Sequence, residues 1–159
     1  MFYTHVAFSI FLSILAFQVL SIENKILFLC FAIVFSLLPD LDETRSFFGR
    51  ALLPISFLLK LIFGHRKLFH SFFMAIISCL VAMLLDFDIA LAVFIGYGSH
   101  LLLDMLNTAG IIPLYPLSSK RFSGPMRTGS LPEKVMFLAL MALILMMGLK
   151  YISKIPIVI

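Results

Sequence analysis

The stretch IALAVFIGYGSHLLLDML, residues 89–106, decides the architecture: it contains no Lys, Arg or Glu, and its one acidic residue is Asp104. Eighteen residues of helix rise about 27 Å, close to the roughly 30 Å of bilayer hydrocarbon. Such a run is a membrane span, interrupted only by His100 and Asp104. The two are four apart and therefore share a helix face, about one turn from each other. A carboxylate within a span costs on the order of 2.5–3.5 kcal/mol on insertion scales, so it signals a functional partner. An H-x-x-x-D pair so placed can offer an imidazole and a carboxylate to one ion.

Similar segments flank it. From Phe2 to Ile22 there is no Lys, Arg, Asp or Glu, and the polar break Glu23-Asn24-Lys25 follows. A second apolar run ends at Pro39, which has no N–H with which to continue a helix. Asp40 to Arg50 reads as a charged loop. Ala51 to Phe63, carrying Pro54 and Lys60, is too short to cross and reads as interfacial or re-entrant. Leu68 to Leu85 is a third span, residues 89–106 the fourth, and Val135 to about Ile152 the fifth. Asn107 to Pro132, with several Pro, Gly and Ser, is a long structured loop of the functional kind. The first run has neither a basic leader nor a small-residue cleavage site, so it is expected to remain in the protein.

The whole chain supports this reading. Of its 159 residues 62% are hydrophobic and 13% charged, with a mean hydropathy of +1.14, against about 45–50% and about 25% in soluble domains. The expected fold is an all-α polytopic membrane bundle, residues 1–159 forming one integral domain. It has about five transmembrane helices plus one short interfacial or re-entrant helix. The net charge of +4 lies in short loops and forms no stripe, which favours anionic lipid headgroups over nucleic acid as partner. Cys30 and Cys79 sit in apolar runs and read as small buried hydrophobes.

Five spans put nine of the twelve Lys and Arg on the side of the N-terminus, and the positive-inside rule makes that side cytoplasmic. The same alternation gathers the unusual polar residues at that face: His5, Asp40, Asp42, His65, His70, His100, Asp104 and Glu133. All four histidines are among them. Each alone has a plainer reading: His5 as an interfacial side chain, Asp40 and Asp42 as loop solvation, Glu133 as a first-turn residue favoured by the helix dipole. Together they read as a metal site. Mixed His and carboxylate donors suit Zn²⁺ first, with Mn²⁺ or Fe²⁺ as alternatives, better than the all-oxygen shells of Ca²⁺ or Mg²⁺. Eight candidates exceed the needs of one tetrahedral ion. Either two ions share the site, or some candidates act as base or as outer groups orienting the ligands, roles open to Asp42 and Glu133. Arg66, between two candidate ligands, could hold a phosphate.

The ordered set P-D-L-D (39–42), H-R-K-L-F-H-S (65–71) and H-L-L-L-D (100–104), with Thr108 and Gly110, resembles the YdjM-like family of bacterial and archaeal inner-membrane proteins. The resemblance covers nearly the whole chain, His5 included, and implies metal-dependent hydrolysis in the cytoplasmic membrane. More distantly, the pattern is similar to the zinc-dependent phospholipase C and P1-type nucleases, soluble helical phosphoesterases. Carried over, the resemblance implies His5, Asp40, His65, His70, His100 and Asp104 as ligands. It names no substrate. A site at headgroup depth makes a lipid or lipid-linked phosphoester the physical expectation. A metal-ion or proton-coupled transporter and a non-catalytic, metal-stapled membrane protein are the alternatives. An H-E-x-x-H metalloprotease motif does not occur.

Overall fold

The computed structural model describes residues 1–44, 46–63 and 66–152. Among these the chain is helical throughout its regular structure. The helices are α1 (Phe2–Val19), α2 (Lys25–Leu37), α3 (Phe47–Ala51), α4 (Leu53–Phe63), α5 (Phe72–Met83), α6 (Phe87–Leu106) and α7 (Leu131–Ile152). A 3-10 turn occupies Leu38–Asp42.

Local chemistry sets these boundaries. The Asn24 side chain accepts the Leu27 N–H at the start of α2, and Ser71 does the same for Met74 at α5. Asp86 accepts the N–H groups of Asp88 and Ile89 at α6. These are N-caps of the ordinary kind, satisfying donors that a helix start leaves without partners. Helix α2 stops at Leu37 because Pro39 cannot donate, and the chain tightens into the 3-10 turn instead.

Helix α6 is the central post. It packs against α1, α2 and α5, while α7 lies on α1. Ala92, Val93, Tyr97, Leu101 and Leu103 of α6 are buried. Small residues permit the closest approach: a Cβ on Gly96 would lie 2.3 Å from the Ala32 carbonyl oxygen, so α2 and α6 touch backbone to backbone there. Gly98, on another face, meets nothing within 4 Å.

Three helices have the length and composition of a span, Phe2–Val19, Phe87–Leu106 and the Leu131–Lys150 part of α7. The second and third expected spans are shorter. Helix α2 has 13 residues and α5 has 12, rises of about 20 and 18 Å. The expected span 68–85 begins its helix only at Phe72, because Ser71 caps it and residues 66–70 form turns. The chain direction nonetheless alternates: the 20–25 turn meets the α6 start, where the Glu23 N–H donates to Asp88 at 3.0 Å. The opposite ends of α1, α2, α5, α6 and α7 come together at the polar face.

Two other expectations change. The 40–50 segment is not plain loop, since the 3-10 turn overlaps its start and α3 its end. Cys30 is exposed and Cys79 half-buried, so neither is enclosed within the bundle. Cys79 packs in part against buried Ala82, Ala90 and Val93. Helix α4 packs on α3 and the 3-10 turn, and exposes Leu53, Ile55, Phe57, Leu58, Leu61 and Ile62.

Candidate metal centre

Four elements bring ionisable side chains to one point. His5 comes from the first turn of α1, Asp40 and Asp42 from the 3-10 turn, His70 from the residues before the α5 cap. His100 and Asp104 come from the last turns of α6. His5, His70, His100, Asp42 and Asp104 are all at most 2% exposed. Burying so many ionisable groups without partners would be prohibitive, so their mutual arrangement carries the meaning.

The donor atoms face inward at short range. His70 Nε2 lies 3.3 Å from His100 Nε2, 3.6 Å from Asp40 Oδ1 and 3.4 Å from Asp104 Oδ2. His100 Nε2 is 3.8 Å from Asp40 Oδ1 and 3.8 Å from Asp104 Oδ2. His5 Nε2 is 3.6 Å from Asp104 Oδ1, and its ring stacks on His100 at 4.1 Å. Donors about 2.0–2.1 Å from a tetrahedral Zn²⁺ are separated by roughly 3.3–3.4 Å, so these spacings fit a shared cation. Two ligand trios emerge, His5/His100/Asp104 and Asp40/His70/His100. Asp104 Oδ2 makes no hydrogen bond, and its nearest charged neighbours are Arg66 and His70, each at 3.4 Å.

Outer contacts aim these ligands. His100 Nδ1 sits 2.7 Å from the Ser36 carbonyl oxygen. A carbonyl only accepts, so Nδ1 carries the proton and Nε2 is left as the ligand atom. Asp42 Oδ2 lies 3.7 Å from His70 Nδ1 and accepts the Arg66 N–H at 3.0 Å. Arg66 takes up a left-handed backbone, φ 57°, and brings Nη2 to 3.4 Å from Asp104 Oδ2. The Tyr97 hydroxyl donates to the Phe69 carbonyl at 2.6 Å and fixes the chain beside His70.

Electrostatics follow from this packing. Burial alone would lower the His70 imidazole, but its contacts with Asp40 and Asp42 and the charges of Asp42 and Asp104 outweigh it and raise it to about 9. Burial alone would raise the Asp40 carboxyl. The His100 and His70 rings outweigh it and hold Asp40 well below the usual carboxylate range.

A polar cavity of about 530 Å³ opens onto the cluster, lined by His5, Asp40, Asp104, Arg66, Glu43 and Arg50 among others. For Glu43, Ser46 and Arg50, which also line it, the only signal in the sequence is the charge density of 40–50. The Ser36 carbonyl had none, being backbone.

Of the sequence candidates, His5, Asp40, Asp42, His70, His100, Asp104 and Arg66 converge. His65 lies outside the described residues. Glu133 is at the same end but turned to other partners, the N-terminal amine at 3.1 Å, the Thr4 hydroxyl at 2.9 Å and the Gly129 N–H. Neither Glu133 nor Asp42 lines the cavity.

Residues 1–157 match the family described as YdjM inner membrane protein. The chain is 34% identical over 108 residues to the Bacillus subtilis protein described as uncharacterized protein YvsG, covering 66% of this chain and 68% of that one. It is 38% identical over 93 residues to the inner membrane protein YdjM of Escherichia coli, and equally to that of Shigella flexneri. Those matches cover 54% of this chain and 47% of each relative, so they span about half the relatives' length. No solved structure matches.

Proposed function

Since the chain belongs to the YdjM family of inner membrane proteins, we propose that it is a metal-dependent hydrolase of that membrane, cleaving a phosphoester in a lipid or lipid-linked substrate at the cytoplasmic face. The observation behind this reading is the convergence of three imidazoles and two carboxylates, with donor spacings of 3.3–3.8 Å, beside a cavity that also holds two arginines. The donor set fits Zn²⁺, or Mn²⁺ or Fe²⁺. A divalent cation held there would polarise a phosphoryl oxygen and lower the pKa of a bound water.

The chain's own groups supply the rest. Arg66 leaves Nη1 without a partner, a donor suited to an incoming phosphate. Arg50 adds positive charge to the same cavity. Asp40, whose side chain is 26% exposed, faces both the ligand rings and the cavity, and so can hold or orient a water. Asp42 keeps His70 in register. Among the described residues, the buried hydroxyls along α1 are occupied: Ser9 donates to the Ala32 carbonyl and Ser13 to the Ser9 carbonyl. That leaves little for an ion path along the bundle and weighs against a transporter.

The test starts with elemental analysis of detergent-purified protein beside His100→Ala and Asp104→Asn. Near-stoichiometric zinc, manganese or iron is expected in the parent and not in folded variants. Phosphate release from lipid phosphoesters should require that metal. Turnover of peptides or amides with no phosphoester cleaved would defeat the substrate assignment, and metal-dependent uptake into vesicles without hydrolysis would favour transport.

A further inference from the structure

His100 belongs to both ligand trios, yet it has one nitrogen to give. Its Nδ1 is held at 2.7 Å by the Ser36 carbonyl, so Nε2 carries the ring's single free lone pair and can bind one cation only. The trios Asp40/His70/His100 and His5/His100/Asp104 therefore cannot both be complete at once. Asp104 has no such restriction. Its two oxygens face different rings, Oδ1 at 3.6 Å from His5 Nε2 and Oδ2 at 3.4 Å from His70 Nε2.

Building on the metal-dependent reading above, we infer that the centre holds two cations bridged by Asp104. The inner cation takes Asp40, His70, His100 and Asp104 Oδ2. The outer one takes His5 and Asp104 Oδ1. The cavity fits this division, because it is lined by His5, Asp40 and Asp104 but not by His70 or His100. The outer ion thus has two protein donors and open positions for water or a substrate oxygen, the arrangement catalytic sites retain. Charge agrees as well. Asp40, Asp42 and Asp104 against Arg66 leave two negative charges when the imidazoles are neutral. One dication cancels them, and a second makes the site an attractor for a phosphate dianion. The outer ion is therefore the weaker and is tightened by inorganic phosphate.

The experiment uses the full chain in detergent, stripped of metal and titrated with Mn²⁺, with and without inorganic phosphate. Bound manganese per chain is counted by elemental analysis after dialysis, and the pair is read by electron paramagnetic resonance. The expected result is two Mn²⁺ per chain with an exchange-coupled spectrum, the second ion binding at lower concentration when phosphate is present. His5→Gln should leave one ion and an uncoupled six-line spectrum, with the melting temperature showing that the bundle persists. Asp104→Asn should abolish coupling. One uncoupled ion in the parent at saturation, or two coupled ions in His5→Gln, would overturn the two-cation inference and leave the hydrolase reading standing. No bound metal in a folded parent would overturn both.

Discussion

A lone pair on His70 can hold a proton or a cation, and the surrounding charges set the competition between them. Asp40, Asp42 and Asp104 face the ring, with His100 and Arg66 close behind. With its pKa raised to about 9, the cation-free ring is protonated at neutral pH, and metal binding must release that proton. The sign is fixed: affinity rises with pH until about 9 and levels off above it. One released proton gives about tenfold in apparent affinity per pH unit below that point. Competition with a chromogenic chelator between pH 6 and 8 measures the slope, and a pH-independent affinity would show that His70 is not displaced. Asp42 offers a second check. Asp42→Asn keeps the size of the group but removes the charge that orients His70 and receives the Arg66 N–H. Outer groups of this kind are worth about 10–100-fold in metal affinity, so that loss is expected with little change in the melting temperature. At this scale the sequence was generous, because histidines and carboxylates are rare in apolar runs and their rarity marks them. It was blind to tilt and rotation: Glu133 is equally conspicuous, yet it turns to the N-terminal amine and Thr4.

Between elements, the α2–α6 contact governs the site. Ala32 lies one turn from Ser36 on α2, as Gly96 lies one turn from His100 on α6, so the close approach at Gly96 sets how near the Ser36 carbonyl comes to the His100 ring. Gly96→Ala would bring a Cβ to 2.3 Å from the Ala32 oxygen and force the helices apart. Overpacking of this sort destabilises by about 1–3 kcal/mol. The expected result is a lower melting temperature together with weaker metal binding; a variant that melts lower but binds metal as the parent does would show that the contact acts on stability alone. Helix identity was legible because hydropathy reports apolar length. Helix ends were less so: the Leu68–Leu85 run is apolar at both ends, and only the Ser71 cap and the turns before it show that α5 starts at Phe72. Likewise α3 has five residues, too few for periodicity to reveal within a charged segment.

For the whole molecule, the candidate ligands among the described residues lie at one end of a bundle whose other end carries Glu23, Asp86 and Asp88. The excess of Lys and Arg on the ligand side leads the positive-inside rule to predict a cytoplasmic location for it. Leu117, 91% exposed in the loop after α6, is a suitable reporter. With Cys30 and Cys79 replaced, Leu117→Cys should react with a membrane-impermeant thiol reagent in inside-out vesicles and not in intact cells. Labelling from outside would reverse the orientation. Composition and hydropathy made the bundle and its polar end legible, since both are sums over many residues. The depth of each short helix was not, because α2 and α5 are shorter than the apolar runs that contain them.

The Ser36 carbonyl has a consequence for genetics. It is available to His100 because α2 ends at Leu37 and Pro39, in the 3-10 turn that follows, has no N–H to offer it. The group that selects the His100 tautomer is therefore main chain, and exchanging the side chain at position 36 cannot delete it. A mutational scan judged by side chains would overlook this acceptor entirely. Sensitivity is displaced three residues downstream, to Pro39, whose missing N–H stops the helix and keeps that oxygen free for the ring.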